Sequence, residues 1–158
     1  MKLFLEVLWA GIATSGFAIL FDLRPRDVPL AFIGAAVGWW VYSVTAAASS
    51  QSTAYFASAA VIGLICEIGA VVLRRPAFIF IVCAILPIVP GSGMYYTMLE
   101  SVRGNLTGSL NAGFETLQAA GAIAAGLAIS SALSRLLSLT QLAQRLRRGG
   151  GWRVNKRG

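Results

Sequence analysis

The stretch Pro87-Ile88-Val89-Pro90-Gly91-Ser92-Gly93 interrupts an apolar run that extends from Ala77 to Leu99. Each proline removes a backbone N–H and clashes with the preceding helical turn, and each glycine adds backbone freedom. The run is therefore predicted to form two half-helices, over 77–86 and 94–103, on either side of an unwound segment. At about 1.5 Å per residue each half is about 15 Å long, and together they match a hydrocarbon core of roughly 30 Å.

The composition is that of an integral membrane protein. Of the 158 residues, 57% are hydrophobic and 12% are charged, and the mean hydropathy is +0.74, whereas soluble domains carry about 25% charged residues. The chain has no histidine, which removes the commonest metal ligand and general base. Cys66 and Cys83 lie in apolar runs and are predicted to be buried thiols, neither a disulfide nor a metal pair.

The apolar runs predict an all-α integral membrane protein with a single transmembrane domain over residues 1–140, followed by a basic cytoplasmic tail over 141–158. The second run contains Gly34 and Gly38 in a GxxxG spacing, which lets helix backbones approach closely. Residues 100–111 are predicted to form a polar loop, and an amphipathic helix is predicted to continue from Ser134. The spans number about five: 3–21, 28–48, 54–73, 77–103, broken at Pro87–Gly93, and 112–133.

Lys and Arg are distributed asymmetrically over the predicted loops. With five spans and the C-terminus inside, Lys2 and Arg103 are the only two of the thirteen that lie outside, in agreement with the positive-inside rule. The N-terminus is thus predicted to be outside. The first run is interpreted as a span rather than a cleaved signal peptide, because Glu6 and Trp9 interrupt it. The basic tail is predicted to bind anionic membrane lipid and not nucleic acid.

The unwound segment is the best candidate for a binding site, since unwound backbone at membrane depth requires burial by protein or a wet cavity. The free N–H groups and the dipole at the start of the second half-helix suit a substrate carboxylate. Nearby tyrosine and threonine hydroxyls add polar groups. The alternative is a kinked helix without a ligand, whose tyrosines only pack. The candidate substrate-binding residues are Pro87, Pro90, Gly91, Ser92, Gly93, Tyr95, Tyr96 and Thr97.

Glu67 is the only acidic residue well inside a continuous predicted span. A charge there costs about 3 kcal/mol or more unless it pairs, protonates or faces water. Glu67 is interpreted either as a proton-coupling carboxylate or as the structural partner of an arginine in another helix. Arg74 and Arg75 are predicted to form cytoplasmic ion pairs. The sequence holds no catalytic triad, HExxH motif or phosphate loop, so neither an enzyme nor a metal or cofactor site is expected.

Several segments resemble the threonine/serine exporter family. The most specific is Ile85 to Met98, which contains Pro-x-x-Pro-Gly and follows Arg74-Arg75-Pro76-Ala77. The length and the predicted spans are similar to those of the smaller, C-terminal-half subunit of the split bacterial form. Further resemblance lies in Gly16 to Phe21, in Arg24-Pro25-Arg26, in Gly34 to Tyr42, and in Glu67 ahead of the double arginine.

The resemblance implies a multi-pass protein of the bacterial cytoplasmic (inner) membrane. Family members export threonine and serine, and a two-subunit member, whose small subunit this chain resembles, exports succinate. The implied function is that of a subunit of a secondary exporter for small carboxylates, working with a larger family subunit, and homo-oligomer formation stays open. The alternatives are a passive channel subunit and a non-transporting membrane scaffold that stabilises its partner.

Overall fold

The structure, a computed structural model, describes the backbone of residues 2–149 and the side chains of residues 2–136. Over residues 2–149 the chain forms α-helices joined by short connections, and this range contains no β-strand. The helices are α1 (Lys2–Leu20), α2 (Val28–Ala48), α3 (Gln51–Leu73), α4 (Ala77–Ile85), α5 (Gly91–Val102) and α6 (Leu106–Gly149), and a 3-10 turn (Leu86–Ile88) follows α4.

Most of these helices have the length and apolarity of membrane spans. The helices α1, α2 and α3 and the Leu106–Leu136 part of α6 can each cross a membrane, and Ala77–Ile88 forms with α5 a further apolar pair bent by 56°. The two bent segments, each about 18 Å long, advance roughly 28 Å along the first axis, close to a hydrocarbon core of about 30 Å. The protein is an all-α integral membrane protein, with five spans when the bent pair counts as one.

The helix α6 begins earlier than its apolar run predicted. Asn105 precedes it, and the Oδ1 atom of Asn105 accepts the N–H of Gly108 over 3.0 Å, which is the bonding of an N-cap. Gly104, with a φ of 76°, makes the sharp turn that a side chain would disfavour. The predicted polar loop over 100–111 is therefore wrong, because α5 continues to Val102 and only residues 103–105 connect the two helices.

A serine cap likewise extends α3 toward its N-terminus. The Oγ atom of Ser50 accepts the N–H of Thr53 over 3.4 Å, so the helix begins at Gln51 and not at residue 54. The polar residues 51–53, which the apolar pattern assigns to a loop, thus form the first turn of a membrane helix.

The helix α6 is long enough to extend beyond the membrane. It has 44 residues, about 66 Å at 1.5 Å per residue, roughly twice the thickness of a hydrocarbon core. Its course confirms the helical continuation predicted from Ser134. The predicted basic tail, 141–158, begins inside this helix, and its residues 150–158 lie outside the described residues.

The central helix is α3, which packs against α2 and against α6. Gly34 and Gly38 are buried where α2 meets α3: a Cβ atom on Gly34 would lie 3.1 Å from the Sγ atom of Cys66, and one on Gly38 would overlap Ile62. The Oγ atom of Ser58 donates a hydrogen bond over 2.7 Å to the carbonyl of Gly38. The close approach predicted from the GxxxG spacing is confirmed.

The two halves of the broken span differ in burial. In α4, Phe80, Cys83 and Ala84 are buried, and the helix packs against α1, α2 and α3. In α5 no residue is buried, and the helix packs against α6. Cys66 and Cys83 are both buried and free, which confirms their prediction as buried thiols.

The unwound segment is shorter than its composition predicts. The chain leaves the 3-10 turn through Val89, which is extended (φ −61°, ψ 131°), and α5 begins at Gly91 instead of near Met94. Residues 91–93 form the first turn of α5, and the N–H of Met94 donates to the carbonyl of Pro90 over 3.2 Å. A proline before a first helical turn removes no intrahelical hydrogen bond, so the unwound segment is confined to 86–90.

Candidate functional site

A cavity of about 370 Å³ lies where α3, α5 and α6 meet. The 56° bend directs α5 away from α4 and against α6. At Gly93, α5 comes so close to α6 that a Cβ atom would overlap the hydroxyl of Thr116. The polar residues that line the cavity are Gln51, Tyr55, Ser92, Tyr96, Glu115 and Thr116.

The N-terminus of α5 is exposed to this cavity. The N–H of Gly91 donates to the carbonyl of Val89 over 2.7 Å, while those of Ser92 and Gly93 have no partner within the described part of the chain. No side chain caps the helix. Pro90, Ser92 and Gly93 line the cavity, so two unpaired amide hydrogens and the positive end of a helix dipole lie at its wall.

Glu115 brings a carboxylate to the same cavity from α6. It is exposed and takes part in no ion pair among the described residues. Because α6 begins at Leu106, Glu115 lies about 14 Å along this helix. Glu115 therefore lies within the candidate span Leu106–Leu136 and is a second acidic residue to consider beside Glu67.

A second cavity, of about 350 Å³, adjoins the first and shares Gln51, Tyr55 and Glu115 with it. It adds the residues before and at the start of α3, Ser50 and Ser52, and so leads from the α5 N-terminus toward the α2–α3 connection. Its lining is mostly polar, which suits a hydrated path.

Three aromatic side chains, two from the second half of α2 and one from the start of α3, pack against one another beside these cavities. The ring of Tyr55 lies 4.9 Å from that of Tyr42, and Tyr42 lies 5.7 Å from Trp39. The Nε2 atom of Gln51 donates to the hydroxyl of Tyr42 over 3.4 Å. The two α3 side chains that line both cavities thus share a partner on α2, which fixes their orientation.

The structure separates the predicted substrate-binding residues into two groups. Pro90, Ser92, Gly93 and Tyr96 line the main cavity, while Gly91, at the start of α5, is exposed beside it. The hydroxyl of Thr97 is used within the helix, donating to the carbonyl of Gly93 over 2.7 Å.

Pro87 and Tyr95 do not line this cavity. Tyr95 is 62% exposed, and its ring packs edge-on against that of Tyr96 at 5.5 Å. Pro87 lines a separate cavity of about 310 Å³, together with Glu6, Trp9 and Trp39. The 3-10 turn places Pro87 on the opposite side of the break from Pro90, which the sequence spacing alone did not indicate.

Glu67 lies far from the main cavity, about 18 Å beyond Tyr55 along α3. Its Oε1 atom accepts a hydrogen bond from the Oγ atom of Ser131 on α6 over 2.6 Å. Its Oε2 atom is buried and has no hydrogen-bond partner among the described residues. One carboxylate oxygen of Glu67 is thus held by a serine hydroxyl, and the other is buried without a hydrogen bond in the described part of the chain.

The double arginine at the end of α3 has two different roles. The Nε atom of Arg75 lies 3.4 Å from the Oδ2 atom of Asp27, which links the α3–α4 connection to the α1–α2 connection. Arg74 ends α3 in a left-handed conformation (φ 54°), and it forms no ion pair in the described part of the chain. Among the described residues, the ion pair predicted for both arginines is therefore present for Arg75 and not for Arg74.

Four polar lining residues were not predicted: Gln51, Tyr55, Glu115 and Thr116. The signal for Glu115 was present, because a carboxylate inside an apolar run is unusual. Gln51 and Tyr55 carried no such signal, since their position at the cavity depends on how α3 packs beside α5 and α6.

A broken helix that presents its free N-terminus to a polar cavity within a multi-pass helical bundle is an arrangement that membrane transporters use. The sequence model of the family described as Threonine/Serine exporter, ThrE, matches residues 6–133, and the chain belongs to this family of transporters. A search of curated proteins and a search of solved structures gave no significant match.

Proposed function

We propose that the chain is a subunit of a secondary exporter that moves small zwitterionic amino acids of the threonine/serine type across the bacterial cytoplasmic membrane. The observation that carries this proposal is the pairing of opposite charges at one cavity. The α5 N-terminus presents unpaired N–H groups, and Glu115 presents a carboxylate. An α-amino acid has a carboxylate and an ammonium group to match them.

In this arrangement the substrate carboxylate accepts hydrogen bonds from the N–H groups of Ser92 and Gly93, and the ammonium group pairs with Glu115. Tyr96 and Tyr55 supply hydroxyls that can meet the side-chain hydroxyl of threonine or serine. The cavity volume of about 370 Å³ is at the lower end of the range of about 300–1,000 Å³ for small-molecule sites. A dicarboxylate such as succinate is disfavoured, because its second carboxylate meets Glu115.

The larger family subunit is proposed to complete the site. The helix α5 packs mainly against α6, and its outer face carries Met94, Tyr95 and Met98, which are 57%, 62% and 70% exposed. A second subunit packed on this face would close the cavity on that side. Such burial is needed because unwound backbone and a polar cavity cannot face lipid.

The proposal is tested by efflux from cells that express this chain and the larger subunit and are loaded with a threonine-containing dipeptide. Deletion of this chain is expected to abolish the threonine efflux that expression of the two subunits adds to that of the host cells. The Glu115→Gln variant is expected to reduce threonine efflux by about tenfold or more, as the loss of one charged hydrogen bond of about 1.5–3 kcal/mol implies. Glu100→Gln serves as the control, since Glu100 pairs with Arg103 over 3.2 Å and does not line the cavity.

Two alternatives give different results in the same cells. A non-transporting scaffold predicts that Glu115→Gln leaves efflux unchanged, whereas deletion lowers the amount of the larger subunit. A passive channel subunit predicts efflux that stops at equal concentrations and does not respond to the proton gradient. Unchanged threonine efflux after deletion of this chain would reject the transport proposal itself.

A further inference from the structure

Arginines gather at the end of α3 opposite to the substrate cavity. Arg24 and Arg26 lie in the α1–α2 connection, and Arg75 lies in the α3–α4 connection. Two cavities, of about 170 and 340 Å³, share Arg24, Asp27 and Arg75 in their linings. We name Arg24, Arg26 and Arg75 the arginine cluster.

One member of the arginine cluster is held in an ion pair, and the other two are free to bind an anion. Arg75 pairs with Asp27, whose side chain is only 11% exposed, and the Asp27 side chain does not cap α2. Arg24 and Arg26 are exposed and form no ion pair among the described residues. The second carboxylate near the cavities, Asp22, is exposed and likewise unpaired there, so guanidinium groups outnumber carboxylates at this surface.

The backbone contributes little net charge to this surface, because α1 and α3 end where α2 and α4 begin. The helices α2 and α4 both begin at this surface, and neither has a side-chain cap. The smaller cavity is lined by Pro76, the residue before α4, and by Ile79 from its first turn. The positive ends of α2 and α4 are thus offset by the negative ends of α1 and α3, and it is the guanidinium groups that favour an anion.

The surroundings of the arginine cluster are apolar and exposed. Leu20 and Phe21, at the end of α1, are 75% and 51% exposed, and Phe78, in the first turn of α4, is 70% exposed. These side chains lie where membrane helices end, so they can contact acyl chains. A free anion would gain nothing from them, whereas a phospholipid can use both its headgroup and its chains.

We infer that the arginine cluster binds the phosphate group of an anionic phospholipid. The headgroup phosphate contacts Arg24 and Arg26, while Arg75 is held at the rim of the site by Asp27. This assignment uses residues distant from the substrate cavity and does not depend on the proposed transport function.

The test uses the purified full chain in detergent and native mass spectrometry to measure the affinity for phosphatidylglycerol and for phosphatidylcholine of equal chain length. The unvaried chain is expected to prefer phosphatidylglycerol. Arg24→Gln with Arg26→Gln is expected to weaken phosphatidylglycerol binding by about 30-fold, which corresponds to about 1 kcal/mol for each arginine. Lys2→Gln with Arg103→Gln removes the same charge elsewhere and is expected to leave the affinity unchanged.

A second variant moves the affinity in the opposite direction. Asp27→Asn releases Arg75 from its ion pair and is expected to strengthen phosphatidylglycerol binding. The inference is overturned if Arg24→Gln with Arg26→Gln still prefers phosphatidylglycerol as strongly as the unvaried chain does. It is equally overturned if Lys2→Gln with Arg103→Gln loses as much affinity for phosphatidylglycerol, or if Asp27→Asn binds this lipid more weakly. It is also overturned if millimolar inorganic phosphate displaces phosphatidylglycerol, because the site then takes free phosphate rather than lipid.

Discussion

The hydroxyl of Ser131 on α6 donates a hydrogen bond over 2.6 Å to the Oε1 atom of Glu67 on α3. This bond joins two helices across the interior of the bundle, while the Oε2 atom of the same carboxylate is buried without a hydrogen-bond partner in the described part of the chain. A half-satisfied carboxylate inside a membrane protein is costly and is typically associated with ion or proton movement.

We expect Glu67→Gln to insert and assemble normally but to lose the acceleration of efflux by a proton gradient. Glutamine keeps the shape, its amide oxygen can accept from Ser131, and it cannot release a proton. Downhill efflux should persist, because the proposed substrate cavity is about 18 Å away along α3. Complex yield and gradient-driven efflux are measured on the same membranes.

The Ser131→Ala variant is the matched comparison for Glu67. It removes the hydrogen bond but leaves the carboxylate, so we expect a loss of about 1–3 kcal/mol in stability and a retained response to the gradient. If Glu67→Gln and Ser131→Ala both lower only the yield of assembled complex, Glu67 is a structural residue and proton coupling must be sought elsewhere.

Two glycines of the α5 first turn give opposite predictions. A Cβ atom on Gly93 would overlap the Thr116 hydroxyl, whereas one on Gly91 meets nothing within 4 Å. We therefore expect Gly93→Ala to push α5 away from α6, distort the cavity and reduce efflux by about tenfold or more, as about 1–3 kcal/mol of overpacking implies. Gly91→Ala should transport normally.

A compensating substitution makes this prediction specific. Thr116→Ala removes the atom that the new Cβ would strike, so Gly93→Ala with Thr116→Ala should recover much of the efflux of Thr116→Ala alone. The three variants and Gly91→Ala are compared at equal membrane content. Equal efflux by Gly93→Ala and Gly91→Ala would show that the close approach of α5 to α6 has no part in transport.

The packing of α2 on α3 predicts a stability difference between two other glycines. Gly38 has no room for a side chain, because a Cβ atom would overlap Ile62, while Gly16 on α1 has nothing within 4 Å. Gly38→Ala should destabilise the protein by about 1–3 kcal/mol, and Gly16→Ala should be neutral or stabilising by up to about 1 kcal/mol. Unfolding midpoints in detergent measure both, and equal midpoints would contradict the packing.

The parts of the fold that depend on local chemistry were predictable from the sequence. Two prolines three residues apart predicted the break, and long apolar runs predicted the spans, because both signals are contained in one continuous segment of sequence. The start of α6 was missed, since Asn105 caps a helix that the apolar pattern places later. The cap is a single side chain, so it does not change the pattern of apolar residues from which the helix was predicted.

The composition of the candidate site was only half predictable. Pro90, Ser92, Gly93 and Tyr96 follow from the break itself, whereas Gln51, Tyr55 and Glu115 reach the cavity because α3 and α6 pack beside α5. Pro87 was included with Pro90, but the 3-10 turn places it on the other side of the break. Tertiary packing decides which of these residues reach the cavity, and the local sequence does not indicate that packing.

The last prediction concerns topology, which the arginine distribution implies. In a background without Cys66 and Cys83, single cysteines replace three exposed residues: Pro25, Ser49 and Ser101. The positive-inside rule predicts that Pro25→Cys reacts with an impermeant thiol reagent only after permeabilisation, while Ser49→Cys and Ser101→Cys react in intact cells. Ser101 is decisive for the broken span: with a 56° bend, α4 and α5 continue across the membrane, so residue 101 should label like residue 49. Labelling of Ser101→Cys only after permeabilisation would make the pair a re-entrant hairpin, and the reverse pattern at all three positions would invert the protein.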